Sequence, residues 1–89
     1  MSSSVAPLRK ARGLTQQELA RLAGVSRQTV VELERGDYNP SAALALRLAV
    51  LLGASVEELF QLPGDEIESL RAQMHRHVRD NTARAERRR

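Results

Sequence analysis

Residues 15–35 read TQQELARLAGVSRQTVVELER and predict two short helices joined by a tight turn. Thr15 and Glu18 have the spacing of a capping box, which starts the first helix. Gly24 can adopt the left-handed backbone conformation that ends a helix, and Ser26 is a good N-cap for the second. Two helices joined by a three- to four-residue turn that contains Gly form a helix-turn-helix.

The flanking sequence predicts further helices packed around the same core. Helix starts and stops predict five helices in this part of the chain, at about residues 5–12, 16–23, 27–35, 42–52 and 56–61. The fourth is apolar nearly all round, so it should be covered on more than one side. Its face with Leu46 and Val50 needs a neighbour outside the domain core, which is either a second subunit or the C-terminal segment.

The chain on either side of residues 5–62 divides into three segments. Residues 1–4 are short and polar and are expected to be disordered. Residues 63–80 begin with a Pro-Gly break and an acidic cap, and they predict an amphipathic helix with one apolar stripe, formed by Ile67, Leu70, Met74 and Val78. Residues 81–89 are expected to be a basic, flexible tail.

Composition excludes several classes of protein and favours packed helices. The 89 residues contain no Cys and only two aromatic side chains, so the core must be Leu, Val and Ala, without a disulfide framework. Neither a membrane span nor a signal peptide is apparent, and we expect a cytoplasmic, nucleoid-associated protein. His75 and His77 point in different directions on a helix, and no catalytic, metal or cofactor site is expected.

The net charge of +3 at pH 7 does not by itself identify a partner. Residues 1–62 contain seven basic and six acidic side chains, which leaves the predicted domain nearly neutral at +1. Any argument for nucleic-acid binding must therefore rest on where the charges lie.

An ordered set of short motifs resembles the XRE family, the phage repressor/Cro type of helix-turn-helix protein. It covers residues 8–62 and comprises Leu8-Arg9, Gly13-Leu14-Thr15-Gln16, Ala20, Gly24, Glu34-Arg35-Gly36, Asn39-Pro40-Ser41, Leu52-Gly53 and Val56-Glu57-Glu58-Leu59-Phe60. The resemblance implies an all-α, five-helix repressor-like DNA-binding domain, here with an extra C-terminal helix. It further implies a bacterial or phage transcription regulator that binds double-stranded DNA as a homodimer.

Four residues have structural roles in this interpretation. Ala20 is small where the two motif helices cross, and Gly24 lies in the turn between them. The resemblance implies that the second motif helix, at about residues 27–35, is the recognition helix that enters the major groove. It also implies that Arg9 of the first helix pairs with Glu34 near the end of this recognition helix.

One face of the predicted recognition helix carries the candidate base-contacting residues. Arg27 suits guanine, Gln28 adenine, Val31 a thymine methyl group and Glu32 the amino group of cytosine. Other interpretations stay open. Arg27 and Gln28 are also ordinary solvated helix formers, Val31 could pack against the first helix, and Glu32 could orient Gln28 or be a surface acid.

A second group of residues is expected to contact the DNA backbone. Gln16 resembles the glutamine that in this family holds both the backbone and the recognition helix, and the start of its helix suits a phosphate. Asp37 departs from the basic residues common in the following loop, and Tyr38 could instead pack against Pro40. The full set of backbone candidates is Gln16, Gln17, Arg35, Tyr38, Asn39 and Ser41.

A different class of function fits the same sequence. In an antitoxin or accessory protein, the helix-turn-helix would autoregulate while residues 63–89 bind a protein partner. The apolar stripe and the arginines of this segment permit that interpretation. RNA binding gains little support, because the stacking aromatic side chains of such modules are missing.

Overall fold

The computed structural model describes the backbone of residues 1–87 and the side chains of residues 1–83. Across this part of the chain the architecture is helical, with one pair of very short strands. The elements follow in the order β1 (Ser2–Ser3), α1 (Val5–Ala11), α2 (Gln16–Ala23), α3 (Arg27–Arg35), α4 (Ala42–Leu52), α5 (Val56–Leu59), β2 (Phe60–Gln61) and α6 (Gly64–Arg87).

Side-chain caps start four of the helices where the sequence predicts. Thr15, Ser26, Ser41 and Ser55 each accept a hydrogen bond from the backbone N–H three residues later. At Thr15 the capping box is complete, because the Glu18 side chain accepts in return from the Thr15 backbone N–H. These bonds satisfy amide donors that have no partner within the helix.

The turn between α2 and α3 depends on Gly24. This residue has φ 75° and ψ 32°, the left-handed conformation that closes a helix, as predicted. The Val25 N–H then donates to the Ala20 carbonyl oxygen at 3.0 Å, which turns the chain towards α3. Ala20 itself is 1% exposed, so a larger side chain has no room at this position.

Helices α1–α5 share one aliphatic core, to which each contributes. Its fully buried large side chains are Val5, Leu19, Val30, Leu33, Leu48 and Leu59. Because α2 and α3 bury these side chains on their inner faces, the opposite face of α3 is turned towards solvent.

The prediction that residues 1–4 are disordered is wrong. Ser2 and Ser3 pair antiparallel with Gln61 and Phe60, and the Ser4 N–H donates to the Leu59 carbonyl oxygen at 2.8 Å. The same pairing stops α5 at Leu59, earlier than expected, and takes Phe60 into extended backbone with φ −133°. The partners are nearly sixty residues apart, so no local pattern could indicate them.

Helix α6 is longer than the predicted 63–80 and continues to Arg87. No Gly or Pro interrupts the chain between Asp65 and Arg87, and Ala and Arg are good helix formers. Of the basic tail predicted at 81–89, Arg88 and Arg89 lie outside the described residues. None of the described helices could cross a bilayer, since α6 is long but polar and α4 is apolar but has only 11 residues.

The backbone conformation of Gly24 gives a direct test of the turn. A Cβ atom at Gly24 would meet nothing within 4 Å, so any effect of Gly24→Ala comes from its positive φ alone. We expect a loss of about 1–2 kcal/mol in the free energy of unfolding, measured by urea denaturation. The control is Gly64→Ala, where the Cβ also meets nothing but φ is not positive. Equal stability of the two variants would contradict the turn assignment.

Candidate nucleic-acid interface

The outer face of α3 carries the five candidate DNA-contacting side chains of this helix. Val30 and Leu33 on its inner face are fully buried, which fixes the rotation of the helix about its axis. Of the outward residues, Arg27, Gln28 and Arg35 are exposed, whereas Val31 and Glu32 are half-buried.

A buried ion pair anchors α3 to α1. Arg9, only 8% exposed, donates from Nε to Glu34 Oε2 at 2.7 Å and from Nη2 to Glu34 Oε1 at 3.2 Å. Its Nη1 donates to the Leu14 carbonyl oxygen at 2.8 Å. A bidentate guanidinium–carboxylate contact fixes both distance and orientation, so it positions one helix on the other. The expected Arg9–Glu34 pair is thus present.

Gln16 connects this ion pair to the exposed end of α3. Its Nε2 donates to Glu34 Oε1 at 2.9 Å, and its Oε1 accepts from Arg27 Nη2 at 3.3 Å. The Gln16 amide therefore bridges the C-terminal and N-terminal turns of α3 from the first residue of α2. Only one long hydrogen bond restrains Arg27, so most donors of its guanidinium stay available to a ligand.

Gln28 and Glu32 contact each other along the exposed face. Gln28 Nε2 donates to Glu32 Oε1 at 3.4 Å, one helical turn away. This contact agrees with the interpretation that Glu32 orients Gln28. Val31 lies between them in the sequence and is half-buried, which leaves part of its surface accessible.

The N-terminus of α2 opens into a shallow groove beside Arg27. Backbone amides of the first helical turn face outward at such a site, where the helix dipole favours an anion. Gln17 is exposed here. The residues that line the groove are Arg9, Gly13, Leu14, Thr15, Gln16, Gln17 and Arg27.

The loop after α3 contains the remaining backbone candidates. Tyr38, Asn39 and Ser41 are all exposed. The Ser41 Oγ accepts from the Leu44 N–H at 3.1 Å as the cap of α4. Its own hydroxyl hydrogen stays available to donate to a phosphate oxygen.

The protonation state of Glu34 is controlled by its partners. Burial alone would raise the pKa of this carboxyl group. Hydrogen bonds from Arg9 and Gln16, together with the positive charges of Arg9 and Lys10, outweigh burial and lower the pKa below its ordinary value. Glu34 is therefore ionised at neutral pH.

Within the described part of the chain, no group of three or more His, Asp or Glu side chains could hold a metal ion. The arrangement at α2 and α3 instead presents hydrogen-bond donors and acceptors on a fixed scaffold.

Comparison with known proteins identifies this scaffold. A helix-turn-helix family model matches residues 8–59, which is more than half of the chain. The chain belongs to the XRE type of the helix-turn-helix family. Proteins of this family are DNA-binding transcriptional regulators and not enzymes.

Relatives by sequence and by structure agree with this assignment. An uncharacterized HTH-type transcriptional regulator of Archaeoglobus fulgidus is 42% identical over 67 residues, which are 75% of this chain and 96% of the relative. The restriction-modification controller protein C.AhdI of Aeromonas hydrophila has a TM-score of 0.57 and 43% identity, over 63% of this chain and 85% of the controller.

A third similar protein extends the likeness towards the C-terminus. The clp gene regulator ClgR of Corynebacterium glutamicum has a TM-score of 0.57 and 30% identity. The match covers 91% of this chain and 80% of ClgR. Members of this family thus share the fold of α1–α5, and this chain is a transcriptional regulator with that DNA-binding fold.

Removal of Arg9 should destabilise the XRE-type domain strongly. In Arg9→Ala the Glu34 carboxylate would remain largely buried with its charge unpaired, which costs about 3–5 kcal/mol in the free energy of unfolding. Thermal and urea denaturation measure this loss. Arg79→Ala removes the same charge from the exposed surface of α6 and should leave stability nearly unchanged. A stable Arg9→Ala protein would show that the ion pair does not hold the helices together.

The same pair predicts the response of stability to acid. Because the pKa of Glu34 is lower in the folded protein, its stabilisation is fully present above the ordinary pKa of 4.5. It is lost as the pH falls through the lower, folded pKa. Denaturation curves from pH 7 to 3 should show this loss in the parent, and Glu34→Gln should show a smaller one. Glu57→Gln, at an exposed acid on α5, should keep the parent's profile.

Proposed function

We propose that this regulator binds a specific double-stranded DNA site as a homodimer, with α3 in the major groove. The observation that carries the proposal is the exposed face of α3. Arg27 and Gln28 project from it, while Gln16 and Glu34 tie the helix from behind to α1 and α2. Because these hydrogen bonds hold α3 in place, its exposed side chains could contact base edges without a rearrangement of the domain.

The base-reading roles follow from the chemistry of the exposed side chains. Arg27 has the paired donors that match O6 and N7 of guanine, and Gln28 has the donor and acceptor that match adenine. Val31 suits a thymine methyl group. Glu32, which accepts from Gln28, restricts how the Gln28 amide can rotate and can alternatively accept from cytosine.

Contacts with phosphates would set the register of the domain on the duplex. Gln16 and Gln17 lie at the N-terminus of α2, and their side chains and nearby amides suit one phosphate. Arg35 at the end of α3 and the loop with Tyr38, Asn39 and Ser41 suit the neighbouring backbone. Since the predicted domain is nearly neutral, these local contacts and not a general positive field would provide affinity.

The proposed homodimer follows from the small number of bases that one helix can read. A single recognition helix contacts too few base pairs to specify a site in a genome, whereas two-fold related copies read two half-sites about 34 Å apart. The matched relatives described above are themselves named as regulators and a controller protein.

Selection of binding sites from random duplex DNA tests the proposal. We expect a consensus with two-fold symmetry and half-sites one helical turn apart. At the selected site Arg27→Ala and Gln28→Ala should each reduce affinity by about 1–3 kcal/mol, and each should relax the preference at one base position. Their melting temperatures and non-specific binding should stay near those of the parent.

The control for these variants is Arg79→Ala, which removes an exposed positive charge from α6. All affinities should be measured at one salt concentration, because phosphate contacts make binding strongly salt-dependent. Parent-like affinity of both α3 variants would refute the placement of α3 in the groove. Failure to enrich any sequence would refute specific DNA binding altogether.

A further inference from the structure

Two apolar surfaces of this chain are open to solvent. The first, the α4 groove, is lined by Leu22, Leu46, Arg47, Val50 and Leu51, and its Val50 is 82% exposed. The second, the α6 stripe, consists of Ile67, Leu70, Met74 and Val78, and the last three of these are 50–60% exposed. Exposed apolar surfaces of this kind mark interaction sites.

The α6 stripe of a chain does not cover the α4 groove of the same chain. Both surfaces keep their exposure in the folded subunit, where α6 leaves the domain after β2. The sequence left two arrangements open for these surfaces, within one subunit or between two, and the structure shows the first is not adopted. A helix with one apolar stripe gains most of its stability when that stripe packs against another surface. Because the stripe of α6 is exposed to solvent, we expect it to bind a partner.

The two surfaces share one residue spacing. Leu46 and Val50 are four residues apart on α4, and Leu70, Met74 and Val78 continue the same spacing on α6. Rows of residues spaced by four form the ridges that interdigitate in the commonest class of helix packing. The stripe also runs nearly straight along α6. Its first and last residues, Ile67 and Val78, are 11 positions apart, which is close to three turns of 3.6 residues.

The charges match as well. Arg47 lines the α4 groove, and among the side chains of residues 1–83 the structure shows a single ion pair, Arg9–Glu34, so none of the acids in that range pairs with Arg47. The first turns of α6 carry Asp65, Glu66 and Glu68 beside the start of the stripe. An α6 helix in the groove would bring these acids to Arg47.

The area buried in a dimer distinguishes docking of each α6 into the other copy's α4 groove from pairing of two identical surfaces. If α4 grooves alone or α6 stripes alone met across a two-fold axis, the interface would consist of a single contact between two helices, whereas a biological interface is expected to bury about 1,000 Å² or more. Reciprocal docking, in which each α6 enters the other chain's groove, forms two helix contacts related by the two-fold axis and therefore buries more area than either self-pairing.

We infer that the occupant of the α4 groove is the α6 stripe of a second copy of this chain, in a reciprocal, two-fold symmetric exchange. The inference rests on the homodimer of the proposed function but on none of its DNA contacts. Its test can therefore be made without DNA, and failure of one proposal is distinguishable from failure of the other.

Site-directed cross-linking tests the exchange, because the chain contains no Cys that could react in the background. Single variants Leu46→Cys and Val50→Cys are each mixed with Leu70→Cys or Met74→Cys, one partner carrying a size tag, and oxidised under mild conditions. We expect a mixed disulfide of two-chain mass in at least one of the four mixtures. Ala72→Cys, on the opposite side of α6 from the stripe, should give no mixed disulfide.

Each other result overturns the inference. Disulfides only between identical α4 variants or only between identical α6 variants would show self-pairing. A disulfide within one chain carrying both Leu46→Cys and Met74→Cys would show intrachain docking. The absence of every mixed disulfide would exclude the exchange.

Sedimentation of full-length Val50→Glu and Met74→Glu provides an independent measurement. Each substitution places a charge on one of the two surfaces, so each should raise the dimer dissociation constant at least tenfold, while the melting of α1–α5 persists as a cooperative transition. A dimer of unchanged affinity in either variant would contradict the exchange, whatever the DNA-binding result.

Discussion

The Arg9–Glu34 ion pair is the constraint on which the recognition surface depends. Both partners are about nine-tenths buried, so their charges must be satisfied by each other and by the polar groups around them. Leu14 and Gln16 supply those groups, and the latter continues to Arg27. One connected network therefore joins α1, α2 and both ends of α3. The position of exposed side chains on α3 is determined from inside the domain.

The sequence predicted those features that have local causes. Helix starts followed from Ser and Thr caps, and the turn followed from Gly24, because each acts within a few residues of itself. The Arg9–Glu34 pair spans 25 positions, and it was expected only because the ordered motifs resemble a family. The β1–β2 pair could be predicted neither from a local pattern nor from the family resemblance. Two serines show no alternation of apolar and polar residues that would indicate a strand. The base and phosphate roles of the site residues stay predictions.

The regulator combines an α3 helix held by several hydrogen bonds with a domain that is nearly neutral overall. Hydrogen bonds such as Gln28–Glu32 restrict the rotamers of exposed groups before any DNA is bound. Ordering side chains in advance reduces the entropy lost on binding, which partly compensates for the near-neutral domain. If Gln28 contacts a base as proposed, the carboxylate of Glu32 beside it would also repel phosphates and would favour dissociation from unmatched sequence. Under the proposed function, modest charge and pre-ordered side chains together would favour discrimination between DNA sequences over high affinity for all of them.

The β1–β2 pairing has a consequence for how the chain folds as it is made. Ser2 is synthesised before its partner Gln61, which follows 59 positions later. At roughly 5–20 residues per second, β1 waits about 3–12 seconds for that partner. Val5, fully buried beside this pairing, cannot be enclosed earlier. Closure of the domain therefore comes late in synthesis, and a nascent chain stalled before β2 would leave β1 unpaired.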